Sequence, residues 1–425
     1  MSETKSNLFW PLGAILLVII VLSGLRWFSG ITNKGVVFDE KYITVPINNL
    51  IEQGWSVETA IDFQETKGPA MIWPYAFFGK ILGGSLNDLR LVSVWCSVLG
   101  LAILIWIAVR CSLYRKSLML VALGWLLLPY NSVLSEIVMG EVSFLLLSLL
   151  AVGLFVWSLE EGASKSRKII APILYGLVVA VALHSRIHIV ALTGGICFAA
   201  FALQGKSSWP WWVASILAGL LRVPLWMRWG GLVSSDYQAL HGLGFRLESL
   251  SYLAAAMVPF VGIFAIEGWR IAKSKVLIVI SFVSGIMIVW VAMPDLSVPA
   301  IDYIDPSSNE RFQGIAASYV KSMSQSGGIR QFVLSILAGI GLAGLAGLWH
   351  LRKRCEVIGL ITFWSLVFGW LLYSFTRGFV FDRFLLTWAF LLPIIWVKTI
   401  PKWLLVPQYC LLALIAFRLI YVWLL

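Results

Sequence analysis

Long apolar runs separated by short polar loops follow one another along the whole chain. Each run holds roughly 17 to 22 residues, the length that an α-helix needs to cross the hydrocarbon core of a bilayer. We count about thirteen such runs. They cover residues 8–28, 90–109, 117–131, 141–158, 169–184, 186–203, 209–225, 248–267, 276–293, 331–349, 357–373, 383–397 and 403–424. The pattern predicts an all-α integral membrane protein with one polytopic domain over residues 1–425.

The positively charged residues set the predicted orientation of these spans. Alternate loops are short and basic, as at 165–168 and 352–354, and such loops face the cytoplasm, so the N-terminus is predicted to lie inside. The chain is 60% hydrophobic and only 12% charged, and its net charge of +11 comes mainly from these loops. The charge therefore reports topology and indicates no nucleic-acid partner. The first run, 8–28, is too long for a signal peptide and is expected to remain as a membrane helix.

The largest outer loop, residues 30–89, is predicted to carry two interfacial helices. An amphipathic helix over 42–52 follows from four apolar residues at helical spacing: Ile43, Ile47, Leu50 and Ile51. Pro69 can open a second helix, Ala70–Leu82, which is too short to span and is expected to end at Gly83-Gly84. A late outer loop, 294–330, is also long. We expect the two helices of the first loop to lie along the outer membrane surface.

Charged side chains collect in five segments on the predicted outer side. Asp39 and Glu40 follow the first span, where a carboxylate is costly unless it is solvated or paired. Arg186 lies between two apolar helices and at that depth needs an anion. His184 and His188 are four residues apart but have no apparent third ligand, so no metal is expected. The five segments are residues 39–40, 64–69, 135–141, 184–188 and 376–384.

Carboxylates and guanidinium groups at a membrane surface suit a substrate that has a phosphate and a lipid tail. Arginine binds phosphate in a bidentate manner, and a nearby carboxylate can accept a proton from an attacking hydroxyl or amine. Plain structural roles stay open for each group. Asp39 and Glu40 can cap the helix that follows, and Lys67 can reach lipid headgroups.

The order of these motifs resembles that of the GT-C superfamily of membrane glycosyltransferases. The most similar branch holds the protein O-mannosyltransferases and the lipid A aminoarabinose transferases. Phe38-Asp39-Glu40 stands where that branch has an acidic motif in its first outer loop. Lys67–Trp73, followed by Phe78–Gly83, is similar to its K-P-P-L-Y…K-L-F-G stretch, with Gly68 in place of the first proline. Ser135–Glu141 resembles the second acidic motif.

A further motif lies near the C-terminal end. Asp382–Leu386 is similar to the late R-Y-L-L-P motif of the family, with Thr387 where proline is usual. The resemblance implies a GT-C-like fold and transfer of a sugar from a polyprenyl-phosphate donor, with inversion at the sugar carbon. The acceptor would be a lipid, a glycan or a protein, and no cofactor or metal is implied.

The resemblance also implies roles for individual residues. Asp39 would be the general base, Glu40 would orient the acceptor or support Asp39, and Glu141 would be a second acid at the acceptor site. The donor phosphate would be held by Lys67, Arg377 and Arg383. Further contacts to sugar, acceptor or phosphate are expected from His184, Arg186, His188 and Asp382. Together these groups are expected to line one outward-facing cavity.

The main alternative is a transporter or flippase of a lipid-linked anionic glycan, for which the same arginines would serve. Two observations argue against a transporter. The sequence shows no inverted repeat and no pair of broken helices at corresponding places, and the charges gather on one face rather than at mid-membrane. Short inner loops and the size of the chain favour a bacterial inner membrane, with the site facing outward and membrane lipids as partners.

Overall fold

The computed structural model describes residues 2–37, 39–56, 58–59, 67–234, 238, 242–294, 296, 312–324, 326–376 and 380–425. These residues form two compact units, which are described separately below. The first unit is Met1–Val223 together with Leu412–Leu425, and the second is Pro224–Leu411. The sequence shows no boundary at these positions, because apolar helices run through both of them.

The first unit is built from helices joined by short turns. In chain order they are α1 (Ser2–Ser29), α2 (Glu40–Gln53), α3 (Trp73–Leu82), α4 (Leu86–Arg110), α5 (Leu118–Leu127), α6 (Asn131–Leu134), α7 (Glu141–Ser158), α8 (Lys165–Ser185), α9 (Ile189–Gln204) and α10 (Trp209–Trp229). The last turns of α10 belong to the second unit.

The second unit is also helical, with one short pairing of extended segments. Its helices are α11 (Leu247–Ala256), α12 (Val258–Ile271), α13 (Val276–Val291), α14 (Ile315–Met323), α15 (Gly327–Leu351), α16 (Glu356–Leu372), α17 (Leu386–Ala389), α18 (Leu392–Thr399) and α19 (Lys402–Trp423). The C-terminal half of α19 belongs to the first unit. Strand β1 (Phe312–Gln313) pairs in parallel with β2 (Val380–Phe381).

The protein is an integral multi-pass membrane protein, as predicted. Among the described residues, seven helical stretches are long and apolar enough to span a bilayer, and α11 with α12 makes an eighth if this pair, bent by 71°, counts as one span. Two of the seven, Ile189–Trp229 and Gly327–Phe375, are 41 and 49 residues long. Each is about twice the length of one span and contains a 3-10 turn, Gly205–Ser208 or Arg352–Cys355.

The count of about thirteen predicted runs differs from this for three reasons. Each of the two long stretches holds two predicted runs, and the run at 276–293 holds only the 16-residue helix α13. Two further runs are broken. The run at 117–131 holds only the 10-residue helix α5, and Tyr130 after it has a left-handed backbone with φ of 71°. The run at 383–397 divides into a 3-10 turn and two short helices, although Trp388 and Trp396 are fully buried. Side chains of such short helices are apolar because they face other helices, so composition alone does not distinguish them from spans.

Both helices predicted in the first outer loop are confirmed. Helix α2 buries Ile43, Ile47 and Leu50, the apolar face expected from their spacing. A 3-10 turn with Pro69 as its first residue precedes α3, and Gly83, directly after the helix, has a φ of 124°. Only glycine adopts that backbone conformation at little cost, so the chain turns there. Placement of the two helices along a membrane surface stays a prediction.

Glycines on α15 allow its backbone to approach α12 closely. A Cβ atom at Gly344 would overlap the carbonyl oxygen of Val261, and one at Gly347 would overlap that of Phe264. Close backbone packing through small residues is a common way for helices to associate where water provides no driving force. The contact between α12 and α15 therefore depends on these two positions.

We expect Gly344→Ala to destabilise the second unit by about 1–3 kcal/mol, because the new methyl group would displace a backbone carbonyl. The matched control is Gly219→Ala in α10, where a Cβ would meet nothing within 4 Å. That control should be neutral or slightly stabilising, since alanine favours a helix. Thermal unfolding of the purified protein in detergent measures both. Equal unfolding temperatures for the two variants would contradict the packing argument.

Candidate active site

Asp39 and Lys67 come together in the first unit, as the predicted site requires. The Lys67 Nζ atom lies 3.7 Å from the Asp39 Oδ2 atom, and the side chains are 9% and 13% exposed. Asp39 immediately precedes α2, and Lys67 immediately precedes the Gly68-Pro69 turn that leads to α3. A carboxylate and an ammonium group therefore share a site that is sheltered but still accessible.

Glu40, the neighbour of Asp39, points away from solvent and is fully buried. The Arg90 guanidinium donates to both of its oxygens, from Nε at 3.0 Å and from Nη2 at 2.6 Å. The backbone N–H groups of Val37 and Val138 complete the shell at 2.8 and 2.9 Å. Of the two predicted roles of Glu40, support of Asp39 fits this geometry, since no oxygen of Glu40 faces solvent.

Arg90 is a site residue that the sequence motifs do not include. Besides Glu40, it donates to the backbone carbonyl oxygens of Ile31, Lys34 and Gly35 at 2.5, 3.0 and 2.6 Å. These carbonyls belong to the loop between α1 and α2, so Arg90 holds the backbone that leads to Asp39. A detectable signal was present, because an arginine in the first turns of an apolar helix needs an anion.

The turn between α6 and α7 packs against the same assembly. Its Val138 N–H reaches Glu40, and the carbonyl oxygen of Ile137 accepts a hydrogen bond from Ser93 at 2.8 Å. Ser93 in turn lies 3.0 Å from the hydroxyl of Tyr75 in α3. Helices α2, α3 and α4 and this turn are thus joined by one buried polar network.

Gly68 places the Lys67 backbone at the C-terminal end of α8. Its N–H donates to the Ser185 carbonyl oxygen at 2.7 Å, and a Cβ atom at this position would overlap the His184 carbonyl oxygen. The replacement of proline by glycine noted in the sequence therefore reflects a close backbone approach. Arg222 donates to the Leu183 carbonyl oxygen at 2.7 Å. Cations are stabilised near the C-terminus of a helix.

Glu141 begins α7, as expected, and is fully buried beside Arg186. Glu141 Oε1 lies 2.8 Å from Arg186 Nη2, which also donates to the Met139 carbonyl oxygen at 3.2 Å. The anion that Arg186 was expected to need is therefore a carboxylate of the same unit. This pair joins the α8–α9 hairpin to the N-terminus of α7.

The two histidines of that hairpin make separate contacts. His184 Nδ1 lies 2.8 Å from the Ala180 carbonyl oxygen one turn earlier in α8. The ring of His188 packs edge-on against Phe144, with ring centroids 6.5 Å apart. Within the described part of the chain, no group of three metal-ligating side chains occurs.

Asp382 and Arg383 lie in the second unit. Asp382 is buried, accepts from the Tyr252 hydroxyl on one oxygen, and accepts from the Ala316 N–H at 2.8 Å on the other. Burial raises the pKa of Asp382 to about 6. The carboxylate thus caps the N-terminus of α14, which favours a structural role over the predicted substrate contact.

The Arg383 guanidinium stacks on the ring of Phe381 at 4.5 Å from its centroid, and the side chain is buried. Arg377 lies outside the described residues. The single cavity predicted to contain Asp39, Lys67, Glu141, Arg377 and Arg383 therefore stays a prediction, whereas the first three are now placed within one unit.

Comparison with known proteins gives two solved structures. No family model and no curated protein matches the chain. ArnT from Cupriavidus metallidurans in the apo state is 14% identical, with a TM-score of 0.44. The same protein bound to undecaprenyl phosphate is 13% identical, with a TM-score of 0.45. Both matches cover 96% of this chain and 77% of the other.

Identity and TM-score are low, and the activity of this chain is therefore inferred from its own residues.

Glu136, in the turn before α7, is another buried carboxylate of the first unit. Its Oε2 atom lies 3.4 Å from Arg26 Nη1, and the residue is fully buried. Burial raises the pKa of Glu136 from 4.5 to about 7, against the opposing effect of the Arg26 charge. A proton is therefore held here at pH values where an exposed glutamate is ionised.

We expect Arg90→Met to cost about 3–5 kcal/mol of stability, because it leaves the Glu40 charge buried without its partner. The double variant Glu40→Met with Arg90→Met removes both charges and should recover the part of that loss that comes from the unpaired Glu40 charge, whereas the bonds from Arg90 to three loop carbonyl oxygens stay lost. Denaturant unfolding of the four proteins in the cycle measures the coupling. If the double variant is as unstable as the sum of the two single variants, the pair does not act as a unit.

Glu136 predicts a pH-dependent stability. Its pKa is higher in the folded chain, so the stabilisation from its proton is fully present below pH 4.5 and is lost as the pH rises through about 7. The loss is roughly 3 kcal/mol for a shift from 4.5 to about 7. Glu136→Gln should remove this loss, because glutamine stays neutral. Unfolding of both proteins between pH 4.5 and 8.5 measures it, and parallel curves would refute the assignment.

Proposed function

We propose that the protein is a membrane glycosyltransferase that moves a sugar from a polyprenyl-phosphate donor to an acceptor on the outer face of the membrane. The observation that carries this proposal is the Asp39–Lys67 pair, 3.7 Å apart and partly accessible, on a rigid buried support. In this proposal, Asp39 is the proton acceptor and the neighbouring Lys67 is the cation that contacts the phosphate. Those are the two groups that transfer from a sugar phosphate to a hydroxyl or amine needs.

Burial separates the roles of the three predicted catalytic carboxylates. Glu40 and Glu141 are fully buried and paired with Arg90 and Arg186, so each serves to hold its surroundings in place. Asp39 retains 13% of its side-chain exposure. We therefore assign the general base to Asp39 and positioning roles to the two glutamates.

Lys67 is assigned to the donor phosphate. An ammonium group has three donors, so one lysine can contact Asp39 and a phosphate oxygen together. Gly68 fixes its backbone against Ser185, which sets the position of the side chain relative to Asp39. The sequence motifs add Arg377 and Arg383 as further proposed phosphate ligands.

The reaction then follows from these positions. Asp39 takes the proton of the acceptor hydroxyl or amine, and the acceptor atom attacks the sugar carbon opposite the phosphate. The bond from that carbon to the phosphate oxygen breaks, which inverts the configuration, and polyprenyl phosphate leaves with one more negative charge. Lys67 stabilises that charge in a water-poor site, where electrostatic stabilisation is strong. Proton abstraction contributes roughly 10²–10⁴-fold.

We expect Asp39→Asn to lower transfer by roughly 10²-fold or more, since an amide does not accept the proton. Donor binding should hold within a few-fold, because the phosphate contacts Lys67. The measurement is release of polyprenyl phosphate by the purified protein in lipid nanodiscs with a panel of polyprenyl-phosphate sugars and a lipid-extract acceptor. Donor affinity is measured separately by equilibrium binding.

The matched control is Asp88→Asn. Asp88 lies in the first turn of α4 on the same predicted side and caps that helix with Ser85. Asparagine caps comparably, so the control should keep full activity. Full activity in Asp39→Asn at normal protein levels would contradict the assignment of Asp39 as the general base. Movement of the intact donor across vesicle membranes, without release of polyprenyl phosphate, would favour the transporter instead.

A further inference from the structure

An open apolar cavity in the second unit lies far along the chain from Asp39 and Lys67. Its volume is about 420 Å³, within the size range of ligand pockets. Helices α13, α15 and α16 form its wall. The lining includes Leu277, Ser284, Ala346, Trp349, Phe363 and Trp364. Apart from Ser281 and Ser284, the lining side chains are apolar, which suits a hydrocarbon chain.

The ends of two helices that form this cavity carry positive charge. Leu277 is in the first turn of α13, directly after Lys273 and Lys275. Trp349 is in the last turn of α15, directly before the basic run 352–354. Both residues line the same cavity, so the two basic segments lie toward the same end of it. By the predicted topology, this end faces the cytoplasm.

Arg352 connects the charge to the cavity wall. Its guanidinium carbon lies 3.2 Å from the centroid of the Trp349 ring, and Trp349 packs against Phe363 with ring centroids 4.8 Å apart. A cation held on an aromatic ring that itself lines an apolar cavity offers one end for a phosphate and the other for an acyl chain. Basic pockets between membrane helices on the cytoplasmic side bind anionic lipid headgroups.

We propose that this cavity binds one anionic phospholipid of the inner leaflet, with an acyl chain between α13, α15 and α16 and the headgroup phosphate on Arg352. The charge of the basic segments selects an anionic headgroup over a zwitterionic one. The site is separate from the proposed glycosyl transfer and does not depend on it.

The test uses the full chain in phosphatidylcholine nanodiscs that contain a rising fraction of phosphatidylglycerol with a photoreactive acyl chain. After irradiation, labelled peptides are mapped by mass spectrometry. We expect saturable labelling within 342–349 and 363–370, and at least fivefold weaker labelling there by phosphatidylcholine with the same photoreactive chain. Equal labelling by the two lipids, or none in these stretches, overturns the proposal.

Two variants and a control sharpen the result. Arg352→Gln should raise the half-saturating fraction of phosphatidylglycerol about fivefold, the effect of one cation near a membrane surface. Arg115→Gln removes an exposed charge from a predicted inner loop of the first unit and should change nothing. Ser284→Trp fills the cavity and should abolish labelling within it. An unchanged half-saturating fraction in Arg352→Gln overturns the headgroup assignment, even if Ser284→Trp fails to fold.

Discussion

The buried ion pair between Glu40 and Arg90 is the interaction on which the candidate site depends. Two charges that are fully buried cost free energy unless every donor and acceptor has a partner. Here Arg90 reaches Glu40 and three loop carbonyls, while Glu40 also accepts two backbone N–H groups. The loop before α2 is thus held by two sets of hydrogen bonds: Arg90 binds its carbonyl oxygens, and Glu40 accepts the Val37 N–H. Asp39 is adjacent to Glu40, so its position follows from this pair.

The same principle explains the second pair of the unit. Arg186 needed an anion and Glu141 needed a cation, and each supplies the other within the protein. Pairs of this kind do little for stability compared with apolar packing, but they specify which elements meet. Asp39 and Lys67 differ from them by their longer distance and remaining exposure. That difference is what makes a binding and proton-transfer role physically reasonable for Asp39 and Lys67.

Charged residues that look alike in the sequence differ in their burial and in their contacts. Asp382 and Arg383 are neighbours in one motif, yet Asp382 caps α14 whereas Arg383 stacks on Phe381 and stays a proposed phosphate ligand. Glu136 keeps its proton to about pH 7 because it is desolvated. Sequence patterns identify where charges occur in an apolar chain. Whether a charge faces a ligand or another part of the protein depends on the partners it finds.

The sequence by itself determined the helical membrane class, the helices α2 and α3, and the start of α7 at Glu141. These are local properties of spacing, turn residues and composition. Only the tertiary structure decided that Arg90 partners Glu40 and that Gly68 lies against the end of α8. It also decided that several apolar runs are broken. A buried charge takes its partner from whichever element packs against it, and Arg90 is fifty residues from Glu40. Local sequence carries no record of that contact.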